Sequence, residues 1–422
     1  MNGVNASICR GVLVALCLAA MGSCSSSRPA SDPLTAPSTG TASTGESPTS
    51  TQTGSTLPDS TTEAPPPPSS SLIDPDAVPE VIAMSFSDAT HGWRLVTNAA
   101  RTSLAVERSV DIGEHWSSTA VIRTQPLNDQ VIAGLVFTSP EAGYISFRTA
   151  TSATVEGEAW LLASRDGGMT WATSPVNGPV GRVVTTGDED LVLTTCRQDQ
   201  DPCTPRLLVS LDHGATWAAR ATLPTAVYVG DLTGSGSSIL VYETGPDATE
   251  AHILRSTDHG TTWTTSPAPC LVDGLGSVSV AATTPAHLWL ACASEPGAGN
   301  QEKAVYRSVD AGTSWTEEAS NFHSVGAVPG DGYIWSSSLV ALDDHRALLA
   351  ETRGTLVRTI DGGVTWTPAT GLPADQELFL RTIVFADATH GWLTLTVFSG
   401  SPDNGLYATD DGGKTWTHTP LH

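Results

Sequence analysis

The chain has 422 residues, with 44 acidic against 20 basic side chains and a formal net charge of −24. That balance argues against nucleic acid and anionic membrane surfaces as partners, because both need a basic footprint. It favours solubility and leaves cations or basic partners open; lysine is nearly absent, with only Lys303 and Lys414 in the chain.

In chain order, Met1–Arg10 is short and carries one positive charge, and residues 11–21 form an apolar run. The run suits a signal-peptide core and is too short to span a membrane as a mature helix. Met21-Gly22-Ser23-Cys24 follows. It resembles the bacterial lipobox, which implies cleavage after residue 23 and lipid attachment at Cys24, on the outer side of a cell membrane. Residues 24–77 are rich in Ser, Thr, Pro, Gly and Ala and include the run Pro65 to Pro68. Such a segment cannot bury a core and is expected to be a disordered tether. Stretched as polyproline II at ~3.1 Å per residue, its Ser25 to Leu72 portion would reach on the order of 140 Å.

From residue 78 the chain repeats. The pattern Ser/Thr-x-Asp-x-Gly-x-x-Trp occurs seven times. Its aspartates and tryptophans are Asp111 and Trp116, Asp166 and Trp171, Asp212 and Trp217, Asp258 and Trp263, Asp310 and Trp315, Asp361 and Trp366, and Asp411 and Trp416. Successive aspartates lie 55, 46, 46, 52, 51 and 50 residues apart, and a period near 50 marks a repeat architecture. Thr usually precedes the Trp, with His115 and Ser314 as departures. Short apolar runs such as Ile253-Leu254 and Leu406-Tyr407 precede the motif and Thr/Ser-rich runs follow it. The motif therefore predicts a turn between antiparallel strands. Asp and Ser/Thr oxygens can accept from nearby N–H groups, Gly permits positive φ, and Trp buries a large ring whose N–H needs a partner. An aspartate repeated seven times around one scaffold is structural rather than seven active sites.

Each unit holds four strands, A to D. In the first, A is Val81–Phe86, B is Trp93–Val96, C is Leu104–Val106 and D is Trp116–Ile122, and Asp88-Ala89-Thr90-His91-Gly92 turns A into B. The last unit repeats that turn as Asp387 to Gly391. Seven four-stranded units predict an all-β, seven-bladed propeller over residues 78–422. The last unit ends with its own strand D, so closure needs no strand from the N-terminus. The motif resembles the Asp-box, or BNR repeat, of sialidase-like propellers. It is also similar to repeats of photosystem II assembly factors, some glycoside hydrolases and sorting receptors. The resemblance covers roughly residues 80–420. It implies the fold far more strongly than any one activity.

Four cysteines fall in the propeller region. An exported domain with an even count favours disulfides, paired Cys196–Cys203 and Cys270–Cys292. No cofactor or metal site is indicated.

A–B and C–D turns of a propeller share one face, and B–C and D–A loops share the other. The repeats occupy the first face. The irregular loops gather on the second, the default place for binding. They carry Glu156, Glu158, Asp199, Asp201, Asp273, Glu302, His323, Asp331, Arg353, Asp375, Glu377 and Asp403. The best-supported function is a non-catalytic, monomeric module holding a glycan, a cell-wall polymer or an exported protein. The alternative is a glycoside hydrolase. The sialidase form is disfavoured because the Arg-Ile-Pro segment is absent and Tyr306 and Tyr407 sit in strand C patterns, while a two-carboxylate glycosidase stays open. A third reading is an assembly factor for a membrane complex. The photosystem II factors show a basic patch, which this acidic chain lacks.

Overall fold

The computed structural model describes residues 80–98, 101–124, 132–148, 160–176, 178–194, 205–223, 228–244, 251–270, 277–294, 301–321, 332–334, 338–351, 356–373, 378–397 and 405–419. Cys24, the tether, Cys196 and Cys203 lie outside the described residues.

Seven four-stranded antiparallel sheets follow one another along the chain. Blade 1 is β1 (Glu80–Phe86), β2 (Gly92–Thr97), β3 (Ser103–Ser109) and β4 (Ser117–Arg123). Blade 2 is β5 (Ile132–Phe137), β6 (Gly143–Arg148), β7 (Leu161–Ser164) and β8 (Ala172–Thr173). Blade 3 is β9 (Val180–Thr186), β10 (Glu189–Thr194), β11 (Arg206–Ser210) and β12 (Ala218–Thr222). Blade 4 is β13 (Tyr228–Ser235), β14 (Ser238–Thr244), β15 (Ala251–Ser256) and β16 (Thr264–Pro267). Blade 5 is β17 (Val278–Ala282), β18 (Leu288–Ala293), β19 (Lys303–Ser308) and β20 (Thr316–Ser320). Blade 6 is β21 (Leu339–Ala341), β22 (Ala347–Ala350), β23 (Leu356–Thr359) and β24 (Thr367–Pro368). Blade 7 is β25 (Leu378–Phe385), β26 (Gly391–Val397), β27 (Gly405–Thr409) and β28 (Thr417–Thr419).

At most seams the first strands of neighbouring blades touch one another, so they line the inside of the ring, and β1 meets β25 where it closes. The fourth strands lie outermost, as the mostly exposed β4 shows against the fully buried β2. The core is not one central mass. It is seven apolar clusters, each spanning two adjacent blades, including one between blades 7 and 1. A single blade leaves both faces apolar, and only its neighbours cover them.

Aromatic stacking shows that the closing seam is built like the next one. Trp392 of blade 7 lies flat on Phe86 of blade 1, with centroids 4.2 Å apart. Trp93 of blade 1 lies on Phe137 of blade 2 at 3.7 Å. Each Phe in turn meets its own blade's motif tryptophan edge-on, Trp116 and Trp171 respectively. The Phe ring crosses over strand B, which explains the glycine before each of those strand B aromatics. A Cβ on Gly391 would sit 2.6 Å from the Phe385 ring, and Gly92 and Gly143 face the same obstacle.

Candidate functional site

The two faces of the ring differ in chemistry. On the turn face, blade 6 shows the motif's wiring. Thr359 Oγ1 donates to Asp361 Oδ1 at 2.9 Å and accepts the Gly363 N–H at 2.9 Å. Asp361 Oδ1 also accepts the Thr365 N–H, its Oδ2 accepts the Thr365 hydroxyl, and Trp366 Nε1 donates to Gly363 O. The Ser/Thr-to-Asp bond recurs at Asp111, Asp166, Asp212, Asp258, Asp310 and Asp411. Departures are local. His115 Nδ1 takes the place of the Thr hydroxyl on Asp111, at 2.7 Å. Trp217 donates to Ser174 Oγ, which itself donates to Gly214 O.

These bonds hold the carboxylates ionised. The Ser109 hydroxyl first, then the His115 N–H, hold Asp111 at about 2. The Thr216 hydroxyl and N–H hold Asp212 at about 2. Thr262 does the same for Asp258, and Ser314 for Asp310. Asp361 is lowered by the Thr365 hydroxyl and N–H. A general acid must keep its proton near neutral pH, and none of these groups does. Asp111, Glu114 and His115 bring donor atoms within 4.8 Å of one another. Both Asp111 oxygens are already committed to Ser109 and His115, so the cluster is a closed turn.

The A–B turns work similarly. Asp88 Oδ1 accepts the Thr90 and His91 N–H groups, and Asp387 does so for Thr389 and His390. Asp343 repeats it in blade 6, while Ser139 and Thr284 supply the acceptor in blades 2 and 5. Blades 3 and 4 use two-residue hairpins at Gly187-Asp188 and Gly236-Ser237 instead. The basic residues are committed too. Arg165, Arg220, Arg255, Arg307 and Arg346 each reach across a seam to a carbonyl on the next blade's turns. Among the described residues, the motif aspartates and these five arginines are therefore committed to the turns and seams of this face.

On the loop face, the described residues form a polar knot between blades 5 and 6. Lys303 is fully buried, with Nζ 3.0 Å from Glu351 Oε1. The ammonium also donates to Gly332 O at 2.7 Å, and Gly332 N–H donates to Glu351 Oε2. Buried Gln301 accepts the Ile334 N–H and donates to Ser294 O. Asn321 accepts the Lys303 N–H and donates to Gln301 O. A buried charge pair needs such extra bonds to offset its desolvation. The knot fixes the chain that crosses from blade 5 into blade 6. Nearby, Cys270 and Cys292 form a disulfide that ties blade 4 to blade 5, with Cα atoms 5.7 Å apart.

Of the loop residues singled out from the sequence, Glu302 is described: it is exposed beside the knot, its N–H on Ser294 Oγ. Glu156, Glu158, Asp199, Asp201, Asp273, His323, Asp331, Arg353, Asp375, Glu377 and Asp403 lie outside the described residues. Sequence reasoning passed over Lys303, Gln301, Asn321 and Glu351. The available signal was Lys303 itself, one of two lysines, opening the apolar run Ala304-Val305-Tyr306. It also passed over Glu243, at the loop-face end of β14. Glu243 is 3% exposed, and burial pushes its carboxyl above the ordinary range against the opposing pull of His252. It is the one carboxyl among the described residues shifted upward.

No protein-family description matches the chain, and no curated protein matches it. Solved structures do. YCF48 from Cyanidioschyzon merolae is 14% identical with a TM-score of 0.52, over 80% of this chain and 97% of that one. A YCF48 bound to a D1 peptide is 17% identical with a TM-score of 0.50, over 80% of this chain and 94% of that one. An ancestral GH74 enzyme is 15% identical with a TM-score of 0.51, over 83% of this chain but only 48% of its own length. At these identities the likeness is one of fold: the chain shares a seven-bladed β-propeller with proteins of unrelated activity.

Proposed function

We propose that this chain is an exported, lipid-anchored binding module whose loop face holds a segment of another exported protein. Residues 1–23 are the leader, Cys24 carries the lipid, residues 24–77 are the tether and residues 78–422 are the Asp-box propeller. The observation that carries this reading is the asymmetry of the faces. On the turn face every motif aspartate is bonded to its own turn and the arginines are drawn into the seams. Recognition is left to the loops on the opposite side. A propeller of the same fold bound to a peptide supports a protein partner over a glycan.

The test is a photo-crosslinking residue placed in cells at Glu302 on the loop face or at Asp410 on the turn face. The expected result is a discrete protein adduct from position 302 and none from 410. Adducts from 410 alone would overturn the assignment of faces.

A second reading, a two-carboxylate glycoside hydrolase, draws on Glu243, whose raised carboxyl suits a general acid. Its near-complete burial between strands keeps it from a sugar, which favours the binding module. Release of sugar from a polysaccharide panel, lost in Glu243→Gln, would reverse that order.

A further inference from the structure

The outer strand of a propeller blade is an open sheet edge, a row of N–H and C=O groups able to pair with any extended chain. Native proteins blunt such edges with short strands, proline or charge. Six of the seven blades do so here. β8 and β24 have two residues each and β28 has three. β16 ends in Pro267 and β24 in Pro368. β20 carries Glu317 and Glu318, and the five-residue β12 holds Arg220, whose guanidinium is bonded to Glu189.

β4 is the least protected, since its one charge, Arg123, stands at its last position. It is the longest outer strand, seven residues reading Ser-Ser-Thr-Ala-Val-Ile-Arg, with neither proline nor acid. Among the described residues no strand pairs with its outer edge. Val121 is 48% exposed on it. Alongside runs a groove of about 400 Å³ between blades 1 and 2, lined by Ala120, Ile122, Leu162, Met169, Trp171 and Thr173. Met169 is 62% exposed at its rim. Arg123, exposed at the end of the strand, also lines the groove, a cation in a chain of net charge −24.

We infer that the β4 edge is a docking site for an extended peptide segment of another protein, added as a fifth strand to blade 1. Backbone pairing supplies the ladder, and alternate side chains enter the groove. The chemistry of the site specifies the segment. It has apolar residues at every second position, to meet Ile122, Met169 and Trp171, and a carboxylate placed against Arg123. The edge runs along the outside of the ring with Arg123 at its loop-face end, and it is tested by backbone pairing, which the loop-face reading does not require.

The probe is a labelled, end-blocked peptide alternating valine with threonine and carrying glutamate at both ends, titrated against the full chain by fluorescence anisotropy. The expected result is saturable binding that weakens at least about tenfold in Val121→Lys, which places a gatekeeper charge on the edge. Val309→Lys on the turn face leaves binding unchanged. The same peptide N-methylated at alternate backbone nitrogens keeps its side chains but loses ladder donors, and it binds at least about tenfold more weakly to the parent chain. That arm decides the matter even if Val121→Lys fails to fold. Absence of saturable binding, or binding indifferent to N-methylation, overturns the inference. So does self-association of the chain that Val121→Lys abolishes, which would make the edge a contact between two copies.

Discussion

A single motif residue does two jobs. Trp366 fills the seam between blades 5 and 6, and its indole N–H closes the turn on Gly363 O. Trp366→Ala is expected to cost about 3–5 kcal/mol, the range for truncating a large buried ring, and chemical denaturation with matched slopes measures it. A loss too small to resolve would mean that the ring is not part of the core. The motif was legible from sequence because each of its residues acts within eight positions of chain, where side-chain oxygens, a glycine and a ring suffice to specify a turn. Lys303 and Glu351 were not legible. They sit 48 positions apart, and nothing local to either says that it meets the other.

At the scale of one turn, the fourth motif position takes positive φ in all seven blades. It is glycine in blades 2, 6 and 7, and Ile112, His213, His259 or Ala311 elsewhere. The reason is geometric, since in six blades this residue's N–H donates to the A–B turn of its own blade. In blade 3 the position is filled by His213, whose ring pairs with Asp190 instead. An L-residue pays roughly 1–2 kcal/mol for this conformation. Ala311→Gly removes the clash but adds freedom to the unfolded chain, roughly 0.4–1 kcal/mol. The net expectation is a gain of about 0.5–1 kcal/mol, measured by thermal unfolding; a loss would mean that the backbone there is relaxed with alanine. The A–B turns show where sequence reading thins out. Asp88 and Asp387 announce theirs. Thr284 in blade 5 and the short hairpins of blades 3 and 4 reach the same end with residues that carry no repeated signature.

At the scale of the molecule, the number of blades was legible because the motif counts them, and closure without a strand exchange follows from each blade being one continuous segment. The loop face was legible only as a location, because loops specify themselves through contacts that no period repeats. Acid sensitivity is a property of the whole ring. Carboxylates lowered in the folded state stabilise it above their unfolded pKa of about 4 and lose that contribution as pH falls toward about 2. Asp111, Asp212, Asp258 and Asp310 are held at about 2. His115 has the opposite sign: raised by Asp111, it stabilises at low pH and loses that contribution as pH rises through its folded value. With seven lowered motif aspartates against one raised histidine, the unfolding temperature is expected to fall steeply between about pH 4 and pH 2. A flat profile there would mean that the turns do not depend on their carboxylates.

The division between a rigid turn face and a looser loop face is tested most directly by native-state hydrogen exchange. The amides of Gly113, Gly168, Gly214, Gly260, Gly312, Gly363 and Gly413 each donate to a Ser or Thr oxygen at the start of their motif. If the seven turns are the scaffold, these amides exchange together and only through opening close to global unfolding, while peptides from the loop face exchange faster. Turns that exchange as fast as the loops, or blade by blade at unrelated rates, would contradict the account.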